Sequence, residues 1–303
     1  MGVRTTFYLF FLASICSAVL SGCRWIDPDE STPAFVRIDE FTFVGDPDYG
    51  SSSEKITEVW VFANGETIGA IPLDDDSLTI PVMPVLREGP VEFAFYAGVK
   101  NNGVSSTRIL YPFYNAYVET LDLVPGETIT VAPEFSYREN AIVAHIEDFE
   151  SAGFSYDGAG GTTQVDMEQT SVDQEVFEGN KSGRVIIPED FTYFEHNTID
   201  VFDLPSGKQI FVELDYKCNN SFAIGVFAAN GSGRDKNLVM VVNPTTDENG
   251  VDQWNKLYVE LTDVAAANIS AAFFELYFES NRDAENTEAR LFFDNIKIIH
   301  FPG

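Results

Sequence analysis

Three histidines, three cysteines and 48 acidic residues are the groups in this 303-residue chain from which a reaction centre would have to be built. His145, His196 and His300 are scattered, two in apparent strands and one in an apparent loop. The motifs G-x-S-x-G, H-E-x-x-H and G-x-x-x-x-G-K-[ST], which would mark an acyl-transfer elbow, a zinc helix or a phosphate loop, are absent. Gly158-Ala-Gly-Gly161 lacks the lysine and following helix of a phosphate cradle and reads as a turn. Glycoside hydrolysis needs two carboxyls about 5–9.5 Å apart, and among so many acids no pair stands out. The sequence therefore points to binding rather than catalysis.

The clearest chemical signal is at the N-terminus. Arg4, the apolar residues 7–20 and then small residues leading to a cysteine form a secretory signal layout. The apolar run falls short of the roughly 20 residues a membrane-spanning helix needs. Leu20-Ser21-Gly22-Cys23 resembles the bacterial lipobox. That resemblance implies removal of residues 1–22 and a covalent diacylglycerol and acyl lipid on Cys23, and at about 0.8 kcal/mol per buried CH₂ such an anchor is effectively permanent. Cys16 would leave with the signal peptide, so Cys218 is left without a disulfide partner and no cysteine-built metal site is expected. In Phe211-Val-Glu-Leu-Asp-Tyr-Lys-Cys218 the alternation puts Val212, Leu214, Tyr216 and Cys218 on one strand face, which makes Cys218 a buried, inert thiol.

Charge narrows the partners. The net charge is −30, and −31 once Arg4 is lost, a field that repels nucleic acid and anionic lipid surfaces. Residues 23–33 are polar and proline-punctuated, the composition of a tether. Their acids Asp27, Asp29 and Glu30 resemble the export signal that sends lipoproteins of Bacteroidota-type bacteria to the outer face of the outer membrane, or they are a generic acidic linker. The expected location is the outer membrane, lipid-anchored, at the cell surface or on the periplasmic face.

The remaining chain is long enough for two domains and reads as all-β, two β-sandwiches. In the first, residues 34–139, strands are expected at 34–44, 57–63, 66–72, 77–82, 89–99, 105–113, 118–123 and 128–135. Asn64-Gly65 between apolar runs is a hairpin signal, and Pro125-Gly126 marks another turn. Glu58-Val-Trp-Val-Phe-Ala-Asn-Gly-Glu-Thr-Ile-Gly69 and Pro81-Val-Met-Pro-Val-Leu86 resemble the small immunoglobulin-like or prealbumin-like domains of bacterial surface proteins. In the second unit, residues 140–303, strands are expected at 182–187, 198–200, 209–217, 222–228, 238–242, 254–260, 271–279 and 289–301.

Four segments of that second unit, in order, resemble the galactose-binding-like jelly roll of carbohydrate-binding modules. They are Glu147-Asp148-Phe149-Glu150, Glu178-Gly-Asn-Lys-Ser-Gly-Arg-Val185, Trp254-Asn-Lys-Leu-Tyr-Val-Glu-Leu261 and Phe293-Asp-Asn-Ile-Lys-Ile298. The resemblance implies a structural calcium where the first and last strands meet, with Glu147, Glu150, Asn180 and Asp294 as ligands; otherwise these acids face solvent or cap turns. It also implies sugar binding through aromatic rings. Most rings of the unit, at alternating strand spacing, belong in the core, and Trp254 matches a position that usually packs inside. The segment Phe191-Thr-Tyr-Phe-Glu-His196 reads as a loop, which makes Tyr193, Phe194 and His196 the expected ligand-binding residues. Two functions compete on this basis: a surface-anchored lipoprotein binding polysaccharide, and a structural lipoprotein contacting other envelope proteins. A hydrolase comes third.

Overall fold

The computed structural model describes residues 31–73, 83–158, 163–231 and 233–303. Cys23, the acids Asp27, Asp29 and Glu30, the expected strand at 77–82 and part of the Gly158–Gly161 turn lie outside them. Among the described residues no helix is long and apolar enough to cross a membrane.

The first sandwich is built from β1 (Ala34–Ile38), β2 (Thr42–Val44), β3 (Glu58–Ala63), β4 (Glu66–Pro72), β5 (Met83–Val85), β6 (Gly89–Lys100), β7 (Arg108–Leu110), β8 (Tyr117–Leu123), β9 (Thr128–Val131) and β10 (Glu134–Ser136). One layer has the order β4-β3-β6, with β8 and β7 sharing the far edge of the long strand β6. The other layer joins β5-β1-β9 and the pair β2-β10, in which β1 runs parallel to β9 and β2 parallel to β10. Asn64 (φ 49°) and Gly65 (φ 78°) close the β3–β4 hairpin in the left-handed region that this tight turn demands. The expected strand at 128–135 is broken by Pro133, which cannot donate to a ladder.

The second sandwich contains β11 (Ile142–Glu147), β12 (Tyr156–Gly158), β13 (Met167–Thr170), β14 (Ser182–Pro188), β15 (Tyr193–Thr198), β16 (Ile210–Cys218), β17 (Phe222–Asn230), β18 (Gly233–Val242), β19 (Asn255–Glu260), β20 (Phe273–Asn281), β21 (Glu288–His300) and one short helix, α1 (Thr262–Ala267). Its sheets are β13-β14-β21-β16-β19, with β11 also on β21, and β12-β15-β20-β17-β18. The first and last strands of this unit therefore pair. Inward residues such as Leu214, Phe222, Phe278 and Phe293 fill the space between the sheets. Cys218 is among them, and burial pushes its thiol up to about 12.

Part of the outer face of the larger sheet is covered by the first sandwich. Phe211, Tyr258 and Ile299 point outward and join the apolar core of the first unit rather than their own. In their midst lies an ionic group. The Glu213 carboxylate accepts hydrogen bonds from Tyr111 (2.6 Å) and Tyr137 (2.7 Å) and lies 3.5 Å from Lys297 and 3.6 Å from Lys256. Burial alone would raise that carboxyl, but the two ammonium groups and the phenol donors outweigh it and hold it below its ordinary value. Asp215 beside it accepts from Ser53 and Asn295 and sits 3.7 Å from Lys256. Buried charges survive only when paired and hydrogen-bonded, so this group ties the two sandwiches together in one register.

Candidate functional site

The residues expected to meet a ligand lie on a strand, not a loop. Along β15 the alternation sends Tyr193 outward and Phe194 and His196 inward. Phe194 is fully buried in the core, and the His196 ring packs 5.0 Å from it. His196 Nε2 reaches Asp166 at 3.4 Å, and burial lowers its pKa below the ordinary value. Phe194 and His196 are thus corrected to packing positions, because a period-two pattern, Tyr-Phe-Glu-His-Asn-Thr, is an amphipathic strand. Only Tyr193 reaches the outer face, where its hydroxyl donates to Glu195 (2.6 Å) and Glu279 (2.9 Å).

That outer face carries rings, but cations cover them. Lys236 pairs with both Glu195 and Glu279 while standing 4.7 Å from the Tyr277 ring centre. Arg234 pairs with Glu275 and lies 3.7 Å over Phe227. The Tyr277 hydroxyl and Asn197 Oδ1 are buried there without a hydrogen-bond partner among the described residues. Gly225 makes room for Tyr277, since a Cβ would stand 2.4 Å from its hydroxyl.

The four calcium candidates are already engaged in other bonds. Both Glu147 oxygens accept backbone amides, from Phe149 (2.8 Å) and Ser155 (2.6 Å). Glu150 accepts from the amide and side chain of Asn180 and from the Lys181 amide, and the Asn180 amide bond is the largest cause of its lowered pKa. Asp294 accepts from the Ser182 hydroxyl and the Glu178 and Asn295 amides, and burial pushes it up to about 7. No group of three or more His, Cys, Asp or Glu side chains among the described residues could hold a metal ion. In this structure these side chains close turns.

A different place has the shape of a site. A cleft of about 840 Å³ opens between the edge strands β18 and β19 and is walled on one side by residues 102–105 of the first sandwich. Residues 246–252 position its rim. Asp247 accepts the amides of Asn249 and Val251, Gly250 turns the chain at φ 79°, and Thr246 bridges to Asp252. This turn delivers Gln253 and Trp254 to the cleft. Trp254 is half-buried, not packed inside, and its ring is held 5.3 Å from Phe177 with Lys217 Nζ 5.0 Å from its centre. On the cleft floor Lys55 donates to Asn255 Oδ1 (2.5 Å), whose Nδ2 donates to the Tyr216 hydroxyl (3.1 Å). Burial raises Tyr216 to about 12, so it stays a neutral phenol.

The lining is unlike the rest of the chain. Its sixteen described residues include the amides Asn102, Asn243, Gln253 and Asn255 and the hydroxyls of Ser105 and Thr245, and none of them is Asp or Glu. The average for this acidic chain would place about 2.5 there (16 × 48/303). A ring, planar amides and hydroxyls in one concave surface, with the Lys55 ammonium bonded to Asn255, are suited to a hydroxyl-rich ligand. Sequence reasoning missed the cleft because residues 243–253 carry no periodic pattern, although the polar, proline- and glycine-containing run before Trp254 marks it as a loop.

No protein-family model matches the chain, and no curated protein matches it. Among solved structures, it is similar to a carbohydrate-binding module of the β-sandwich superfamily, at 11% identity over 80% of this chain and 84% of that one, with a TM-score of 0.37. It is also similar to TmCBM61, solved in complex with β-1,4-galactotriose, at 12% identity over 50% of this chain and 93% of that one, TM-score 0.34. A third is the family 11 carbohydrate-binding module of a cellulosomal cellulase of Clostridium thermocellum, at 15% identity over 52% and 94%, TM-score 0.34.

Proposed function

We propose that the chain is a non-catalytic lipoprotein, anchored to the outer membrane through lipid on Cys23, that binds an uncharged glycan in the cleft between β18 and β19. The observation that carries the binding reading is the cleft itself: Trp254, four amide side chains and no carboxylate in a volume of about 840 Å³. Sugars present C–H faces to rings and hydroxyls to planar polar groups, and this lining offers both. Residues 31–303, which contain every strand described, should bind at least one neutral polysaccharide on a glycan array. Trp254→Ala should weaken that binding by about tenfold or more, or ~1.4 kcal/mol. Silence across the array would remove the reading. The anchor is tested separately: Cys23→Ala should move the protein out of the membrane fraction, and retention there would refute it.

A second reading, contact with another envelope protein, has one observation in its favour. The edge strand β18 leaves Leu238 and Val241 more than half exposed, and unpaired edges invite pairing. Crosslinking in cells should then yield one defined partner through this strand.

A further inference from the structure

The first sandwich is more than a spacer between anchor and site. Its turn at residues 101–105 is docked onto the free edge of β19 by main-chain bonds. Asn101 forms a parallel bridge to Tyr258, and the Asn102 amide donates to the Tyr258 carbonyl at 2.9 Å. The Asn102 side chain accepts the Glu260 amide (2.8 Å), and Asn101 Nδ2 donates to the Glu260 carboxylate (2.7 Å). The turn thus continues the second sandwich's sheet past its last strand. Two consecutive left-handed residues, Asn102 (φ 52°) and Gly103 (φ 66°), give it its shape. At Gly103 the fit is close: a Cβ would come within 2.9 Å of Leu257 Cδ1, and Leu257 itself lines the cleft. Val104, 47% exposed, and the exposed Ser105 then form the cleft wall contributed by the first sandwich. The buried Glu213–Lys297–Tyr137 group beneath holds the two units in this register.

We infer that the binding site is composite, and that Val104 and Ser105 of the first sandwich are specificity-determining residues that a glycan touches together with Trp254. This rests on the reading of the cleft as a glycan site. The wall supplies one apolar and one hydroxyl contact above Lys55 and Asn102 of the same sandwich, so it restricts how a chain can lie along the cleft.

The test is calorimetric titration of residues 31–303 with cellohexaose, mannohexaose and xylohexaose, for the unaltered protein and for Val104→Trp, Ser105→Trp and Trp254→Ala. Both wall positions are exposed, so tryptophan there should fill space without unfolding the chain, and an unchanged thermal midpoint checks this. Val104→Trp and Ser105→Trp should weaken binding by about tenfold or more, or reorder the preference among the three sugars. If both bind all three within about twofold of the unaltered protein while Trp254→Ala loses binding, the composite site is wrong and the cleft reading stands. If the unaltered protein binds none of the three, or Trp254→Ala binds as well as the unaltered protein, the cleft reading fails and the composite site falls with it.

Discussion

Replacing Glu213 by Gln should loosen the two sandwiches from one another, and the structure sets the size of the effect. The carboxylate is fully buried, bonded to Tyr111 and Tyr137 of the first unit and to Lys256 and Lys297 of the second. After Glu213→Gln, Lys256 keeps Asp215 at 3.7 Å, but Lys297 has no second carboxylate partner among the described residues. Removing one member of a buried pair costs about 3–5 kcal/mol. Gln retains an acceptor for one tyrosine, which argues for the lower end, ~3 kcal/mol. At roughly 2–4 °C per kcal/mol for a chain of 150–250 residues, the thermal midpoint should drop by about 6–12 °C. Because the bonds cross between units, a single unfolding transition in urea should separate into two when followed by fluorescence and circular dichroism. The double variant Glu213→Gln/Lys297→Met removes the stranded charge and should recover part of the loss.

The pH dependence has a definite sign. Burial raises the Glu213 carboxyl, but Lys297 and Lys256 overcompensate and leave it below its ordinary value. Its contribution is therefore complete above the unfolded pKa and is lost as pH falls through the folded one. The Glu213→Gln penalty should shrink in acid. A penalty under about 1 kcal/mol at neutral pH, or a double variant no better than Glu213→Gln alone, would refute the pairing argument.

The remaining expectations concern single groups. Burial holds Asp294 at about 7, whereas an unfolded aspartate titrates near 3.9. The folded state then carries an extra proton between those values, so stability falls as pH rises across that window and levels off above it. Asp294→Asn should flatten the slope in pH-dependent unfolding, and an unchanged slope would be contrary evidence. Gly225→Ala would put a Cβ 2.3 Å from the Asn237 carbonyl oxygen as well as against Tyr277, so urea unfolding should show a loss of about 1–3 kcal/mol. Stability equal to the unaltered protein would mean the outer face is looser than described. Cys218 should resist iodoacetamide in the native protein and react only after unfolding, since burial raises its thiol to about 12. Native labelling would overturn that.

Much of the fold was legible because strand periodicity is a local property. The alternation in residues 211–218 identified Val212, Leu214, Tyr216 and Cys218 as one inward face, and all four lie in the core. Asn64-Gly65 specified a hairpin because few other residue pairs tolerate its backbone angles. The misreading at 191–196 has a local cause as well. Acidic and histidine positions interrupt an amphipathic strand, so it resembles a polar loop until a neighbouring strand, β20, is seen to pair with it.

Alternation along β16 established which of its faces is apolar, but not that its polar face would also be buried. Glu213 and Asp215 would suit solvent as well as they suit Lys256, Lys297 and two tyrosines 76 and 102 residues upstream of Glu213, and only docking of the first sandwich decides between them. The cleft follows the same logic. The composition of residues 243–255 marks a loop next to a tryptophan, yet a concave, carboxylate-free surface exists only once residues 102–105 are set against β19. Sequence determines periodicity, turn chemistry and charge, because each depends on near neighbours. Which polar faces meet, and which loops enclose a volume, depends on contacts between segments far apart in the chain, and the tertiary structure alone decided that.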